Sequence, residues 1–111
     1  MAKLLRNINT QFDTLLRRIE QGIVDGSVSA SFEDFTDFRS GDARCSVRVF
    51  ERYSYLGGNR VSMNVTLFQV AGGPVQLCAI TSGGSQAMFF KINTFGEEAF
   101  LEKLEEVLRE F

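Results

Sequence analysis

Residues 43–70 read ARCSVRVFERYSYLGGNRVSMNVTLFQV, and the way the two halves of this stretch pair decides the fold. Both halves alternate between apolar and polar side chains, the period of a strand. A two- or four-residue loop would put Val61, Met63, Val65 and Leu67 on one face with Ser54, Arg52, Phe50 and Arg48. A three-residue loop, Gly57-Gly58-Asn59, pairs Leu56 with Arg60 instead. It sets Tyr55, Tyr53, Val49 and Val47 beside Val61, Met63, Leu67 and Gln69. Because a one-residue slip inverts every side chain, the apolar match selects the three-residue loop. On this reading Glu51 is a misfit on the core face, opposite Val65. The other face carries Arg44, Arg48, Phe50, Arg52, Asn64, Thr66 and Phe68.

Outward from the hairpin the chain supplies the remaining elements. Lys3–Ile8 is a candidate first strand. Thr10, with Asp13 three residues on, reads as a helix start. Phe12, Leu15, Leu16, Ile19 and Ile23 then fall on one helical face, with Gly22 and Gly26 as stopping points. Val28, Ala30 and Phe32 alternate as a strand, and Asp34–Asp42 reads as a polar loop. Ala71-Gly72-Gly73-Pro74 is a turn, and Val75–Thr81 is apolar on both faces, as in a covered strand. Residues 87–92 suit either a short strand or an extended approach. Thr94 and Glu97 form a capping box for a last helix whose stripe is Phe100, Leu104, Val107, Leu108 and Phe111. The expected fold is one α+β domain over residues 1–111, a two-layer β-α-β-β-β-β-α sandwich. Its N- and C-terminal helices share one face of an antiparallel sheet.

Composition narrows the chemistry. The 111 residues are 44% hydrophobic and 23% charged, with eleven Phe and no Trp, the balance of a single globular domain of about 100–150 residues. Histidine is absent. That removes His-activated nucleophiles, His acid–base work and imidazole-dependent metal sites. No motif calls for a cofactor or a metal. Met1–Asn9 carries Lys3 and Arg6 and lacks an apolar core of an export signal, and no stretch approaches the ~20 apolar residues of a membrane span. Cys45 and Cys78 are therefore expected to be reduced, largely buried thiols in a cytoplasmic protein. The net charge of −2 hides an asymmetry. Five Arg lie between Arg39 and Arg60, and six Glu lie between Glu97 and Phe111.

Tyr53–Ser62, Ile80–Gln86 and Asn93–Phe100 together resemble a family of small bacterial proteins of about this length and of unknown function. The resemblance spans nearly the whole chain, implies no activity, and implies a bacterial cytosolic setting. The order of elements also resembles TBP-like and helix-grip architectures, many of which hold an apolar ligand between helix and sheet; fold alone does not imply that function.

Four groups of residues are candidate sites, each with a plainer account beside it. Glu51, Tyr53 and Tyr55 would line a ligand pocket between the sheet and the last helix, unless Glu51 reaches water at the sheet rim. Ser82, Gly83, Gly84 and Ser85 would cradle an anion with backbone N–H groups, but they lack a P-loop lysine and read first as an ordinary turn. Glu33, Asp34, Asp37 and Asp42 do not match an EF-hand spacing and read as a solvated acidic loop. Arg48, Phe50, Arg52 and Phe68, with Arg44, would hold single-stranded nucleic acid or a second subunit. An isoelectric point near 5.1 argues against nucleic acid. Two functions follow: a non-catalytic binding or assembly module that forms a homodimer through the open sheet face, or a binding protein for a small apolar ligand. An enzyme ranks third.

Overall fold

The computed structural model describes residues 1–54, 59–83 and 90–111, with the side chains of residues 54, 59 and 90–95 outside that description. Strands β1 (Ala2–Ile8), β2 (Ser31–Ser40), β3 (Ala43–Ser54), β4 (Asn59–Val70) and β5 (Val75–Gly83) and helices α1 (Phe12–Asp25) and α2 (Phe90–Leu108) follow the expected order. The sheet is antiparallel throughout, in the order β1-β5-β4-β3-β2. Both helices lie on one face, so the chain is a two-layer α+β domain.

The core forms where the helical stripes meet that face. Phe12, Leu15, Leu16, Ile19 and Ile23 of α1 and Phe100, Leu101, Leu104 and Val107 of α2 are all buried. They close over Val61, Met63, Val65 and Leu67 of β4 and Val75, Leu77 and Ala79 of β5. Each such side chain stabilises the fold by roughly 1.5–3 kcal/mol relative to exposure. Phe111, beyond the end of α2, is exposed rather than part of the stripe.

The hairpin register differs from the expected one. Ser54 pairs with Asn59, Arg52 with Val61 and Arg48 with Val65, leaving four residues, 55–58, between the strands. Ser46, Arg48, Phe50 and Arg52 therefore share the helix-covered face with Leu67, Val65, Met63 and Val61. Val47, Val49, Glu51 and Tyr53 face the other way. The charges are tolerated inside because each guanidinium finds a partner. Arg48, 5% exposed, is paired with α1 and β2. The Arg52 guanidinium lies 5.2 Å from the centre of the Phe100 ring.

Other boundaries move for local reasons. Residues 34–40 are not a loop: β2 runs to Ser40 and turns tightly at Gly41-Asp42, where Gly41 has φ +58°, the pattern of a two-residue II′ hairpin. A bulge between Phe32 and Asp34 shifts the register. Val28 and Ala30 lie outside any strand. Gly72, with φ +82°, takes the third position of the 70–73 turn, closed by the Gly73 N–H donating to the Val70 carbonyl at 2.9 Å. This is the position where a type II turn needs glycine.

Helix α1 is capped at Gln11 rather than Thr10, without a side-chain cap bond, and Asp13 is taken by Arg44. Gly22 does not stop the helix, which runs on to Asp25 and is capped at Gly26; at Gly22 a Cβ would collide with Val107 of α2. Helix α2 starts at Phe90, ahead of Thr94, so of residues 87–92 the last three are helical and 87–89 lie outside the described residues. Glu97 is then inside the helix, and its buried carboxylate accepts from the Met1 ammonium at 2.6 Å instead of closing a capping box.

Candidate functional site

With both helices on one face, the other face of the sheet is left uncovered among the described residues. Strand alternation and the pairing register arrange its side chains in cross-strand rows. One row runs Asn7, Gln76, Phe68, Cys45, Phe38 from β1 to β2. The next runs Leu5, Cys78, Thr66, Val47, Thr36, and a third Lys3, Ile80, Asn64, Val49, Asp34. The apolar members gather toward the end of the sheet that carries the Gly41 and Gly72 turns. Leu5 and Phe38 are each 61% exposed, Val70 47% and Phe68 38%. Shallow hollows flank Phe68. One, of about 420 Å³, is bordered by Leu5, Asn7, Thr66, Gln76 and Cys78. The other, of about 270 Å³, is bordered by Phe38, Ser40, Ala43 and Cys45. Chemically this face offers apolar contact and cross-strand backbone rigidity, with a cation at one edge (Lys3) and an anion at the other (Asp34).

On the helix side a polar cluster ties three elements together. Arg48 Nε donates to Glu20 Oε2 of α1 at 2.7 Å, and its Nη1 donates to Asp37 Oδ1 of β2 at 3.0 Å. The buried Ser46 hydroxyl donates to the same Asp37 oxygen at 2.5 Å. Hydrogen bonds from Ser46 and then Arg48 hold the Asp37 carboxyl below its usual range. Burial works against the Arg48 charge, but the bonds to Glu20 and Asp37 outweigh it and its pKa ends above the ordinary value. Burial alone pulls Arg52 below its ordinary value. Arg44 donates to Asp13 at 2.6 Å and lies 4.0 Å over the Phe12 ring, and that bond lowers the Asp13 pKa.

The residues singled out from the sequence are thus divided. Glu51 and Tyr53 lie on the uncovered face, so they do not border space between sheet and helix. Glu51 accepts from Arg60 Nε at 2.8 Å. Tyr55 lies outside the described residues. Of the set Arg48, Phe50, Arg52 and Phe68, only Phe68 is on the uncovered face; the other three face the helices, with Phe50 fully buried. An array of Arg44, Arg48 and Arg52 open to phosphates is not formed, since all three turn toward the helices. Ser82 and Gly83 end β5, where Ser62 Oγ lies 3.0 Å from Ser82 Oγ, and Gly84 and Ser85 are outside the described residues. Asp34 and Asp37 point to opposite faces, and no group of three or more metal-ligating side chains converges among the described residues. Leu5, Phe38, Cys45 and Val47 were not singled out as surface members. Once the strands are in their observed register, simple alternation places all four there.

No helix among the described residues is long and apolar enough to cross a membrane. The family of unknown function DUF6054 matches the chain over residues 1–111. No curated protein and no solved structure matches it.

Proposed function

For a chain that belongs to the DUF6054 family throughout its length, we propose a non-catalytic assembly role, in which two copies associate through the uncovered face of the sheet. The observation that carries this reading is the exposure of Leu5, Phe38, Phe68 and Val70 together on one rigid surface. Soluble monomers rarely leave a contiguous apolar patch beyond a few hundred Å². A second copy is the simplest cover, because a two-fold interface needs only one self-complementary patch. The setting we assign is a reducing bacterial cytoplasm. Cys45 and Cys78 are free. They also flank β4 on neighbouring strands and stand one row apart along it, about 12 Å apart by strand geometry, beyond the ~7 Å reach of a disulfide.

The apolar-ligand reading loses the residues that motivated it, because Glu51 and Tyr53 turn away from the helices. Nucleic-acid binding loses its arginines in the same way.

Phe68→Asp tests the assembly role. The side chain is on the surface of the monomer, so the variant should fold with nearly unchanged circular dichroism and melting. In a dimer interface it would leave an unpaired buried charge. Light scattering over a dilution series should show a concentration-dependent dimer for the natural sequence and a monomer for the variant. A natural protein that stays monomeric at high micromolar concentration overturns the reading.

A further inference from the structure

We propose that the two copies are related by a two-fold axis lying in the interface and running close to the direction of β4, so that Lys3 of each copy pairs with Asp34 of the other. This rests on the assembly role above and goes further, because it fixes which residues meet.

In the order β1-β5-β4-β3-β2, strand β4 is the middle strand. A two-fold along β4 lays β1 over the partner's β2 and β5 over the partner's β3, and it keeps every cross-strand row opposite the same row. The row Lys3, Ile80, Asn64, Val49, Asp34 then meets its own reverse. Lys3 faces Asp34, Ile80 faces Val49, and Asn64 faces Asn64. In the next row Cys78 meets Val47, and in the following one Phe68 meets Phe68.

Phe38 supplies the shape argument. It stands 61% exposed on the outermost strand, and the same operation carries it over Asn7 of the partner. That places it at the 420 Å³ hollow bordered by Leu5, Asn7, Gln76 and Cys78. A projecting ring on one edge and a hollow near the other edge are brought together twice by one axis.

The alternative in-plane axis, perpendicular to the strands, lays each strand over itself. Centred on the charged row, it sets Lys3 against Lys3 and Asp34 against Asp34. Shifted by a row either way, it leaves both charges without an opposite partner. Only the axis along β4 joins the cation of one edge to the anion of the other, while keeping the strands of the two sheets roughly aligned, as packed sheets prefer. Five strands at about 4.8 Å spacing and three rows along each strand give a face of roughly 19 by 20 Å. Two such faces amount to roughly 760 Å², short of the ~1,000 Å² of a small specific interface, which corresponds to a weak dimer governed by concentration.

A charge-swap series on the full chain tests the axis. Lys3→Glu alone and Asp34→Lys alone each turn two attractions per dimer into two repulsions. Each should weaken the dimer roughly tenfold, and added salt should narrow the gap. The double variant, Lys3→Glu with Asp34→Lys, should return to within about twofold of the natural dissociation constant. As an independent readout, carbodiimide should join Lys3 to Asp34 between isotopically light and heavy copies mixed in solution. Within one copy the two residues are at opposite edges of the sheet and cannot be joined. A natural protein that dimerises and is dissociated by Phe68→Asp, but shows neither rescue nor this cross-link, overturns the axis and leaves the assembly role standing. A natural protein that never dimerises overturns both.

Discussion

Arg48 carries a full charge where water barely reaches, and its neighbours explain how. Its guanidinium is shared between Glu20 on α1 and Asp37 on β2. Both carboxylates keep substantial contact with water, at 29% and 44% side-chain exposure. The two sides of the cluster are therefore unequal. Removing the arginine leaves two carboxylates that can be hydrated. Removing both carboxylates strands a cation in a nearly dry place, which costs several kcal/mol. Arg48→Met, which keeps an apolar stem over Val65, is expected to be the mild change. Glu20→Ala with Asp37→Ala is expected to destabilise by roughly 3–5 kcal/mol. Urea denaturation of the two variants checks the ordering. Equal losses would mean that the cluster contributes by simple pairing and not by shielding the buried charge.

At the scale of elements, the approach of α1 to α2 hinges on Gly22. A methyl group there would collide with Cγ2 of Val107, and Val107 is β-branched and cannot easily turn away. Gly22→Ala gains about 1 kcal/mol in helix propensity but overfills the contact by roughly 1–3 kcal/mol. We expect a net loss of stability, in contrast to the gain such a change gives on an exposed helix. Val107→Ala in the same chain should recover part of it, so that the double variant is more stable than the sum of the single changes. A rise in melting temperature for Gly22→Ala alone would show that the helices can separate freely. The same packing explains what the sequence conceals. The stripes of α1 and α2, the turn at 71–74 and the order of elements are legible because burial repeats at 3.6 or 2 residues. The hairpin register is not, because charge is a poor marker of an outward face when guanidinium groups have partners inside. Arg48 and Arg52 send long apolar stems along the core to reach those partners. Val47, Val49 and Tyr53 look like core residues yet face the uncovered side. Strand β2 is hidden for a different reason. Both of its faces are largely exposed, so its composition is that of a loop. Its bulge breaks the alternation, leaving Phe32 and Phe35 on the helix side and Phe38 on the other. The candidate site was legible only at Phe68 for the same cause: an inverted register exchanges the members of the two faces.

At the scale of the whole molecule, the domain measures 46 × 23 × 21 Å, long in one direction because β3 and β4 each run twelve residues. A slab with helices on one side leaves its other broad face open for association, and the two thiols lie on that face. Cys45 and Cys78 are half-buried rather than fully buried, since each stands beside β4 with the helices on the far side of the sheet. In the monomer a thiol reagent should therefore reach both at moderate rates. In the dimer described above, Cys78 is covered by the partner's Val47 and Cys45 by the partner's Gln76, and access to both should close together. Labelling followed by mass spectrometry should count two reactive thiols without reductant. Their rates should fall several-fold as protein concentration passes the dissociation constant found by light scattering. In Phe68→Asp the rates should be independent of concentration. Rates in the natural protein that stay flat while scattering reports a dimer would place the contact elsewhere, on the helices or at a sheet edge, because neither of those surfaces covers a cysteine.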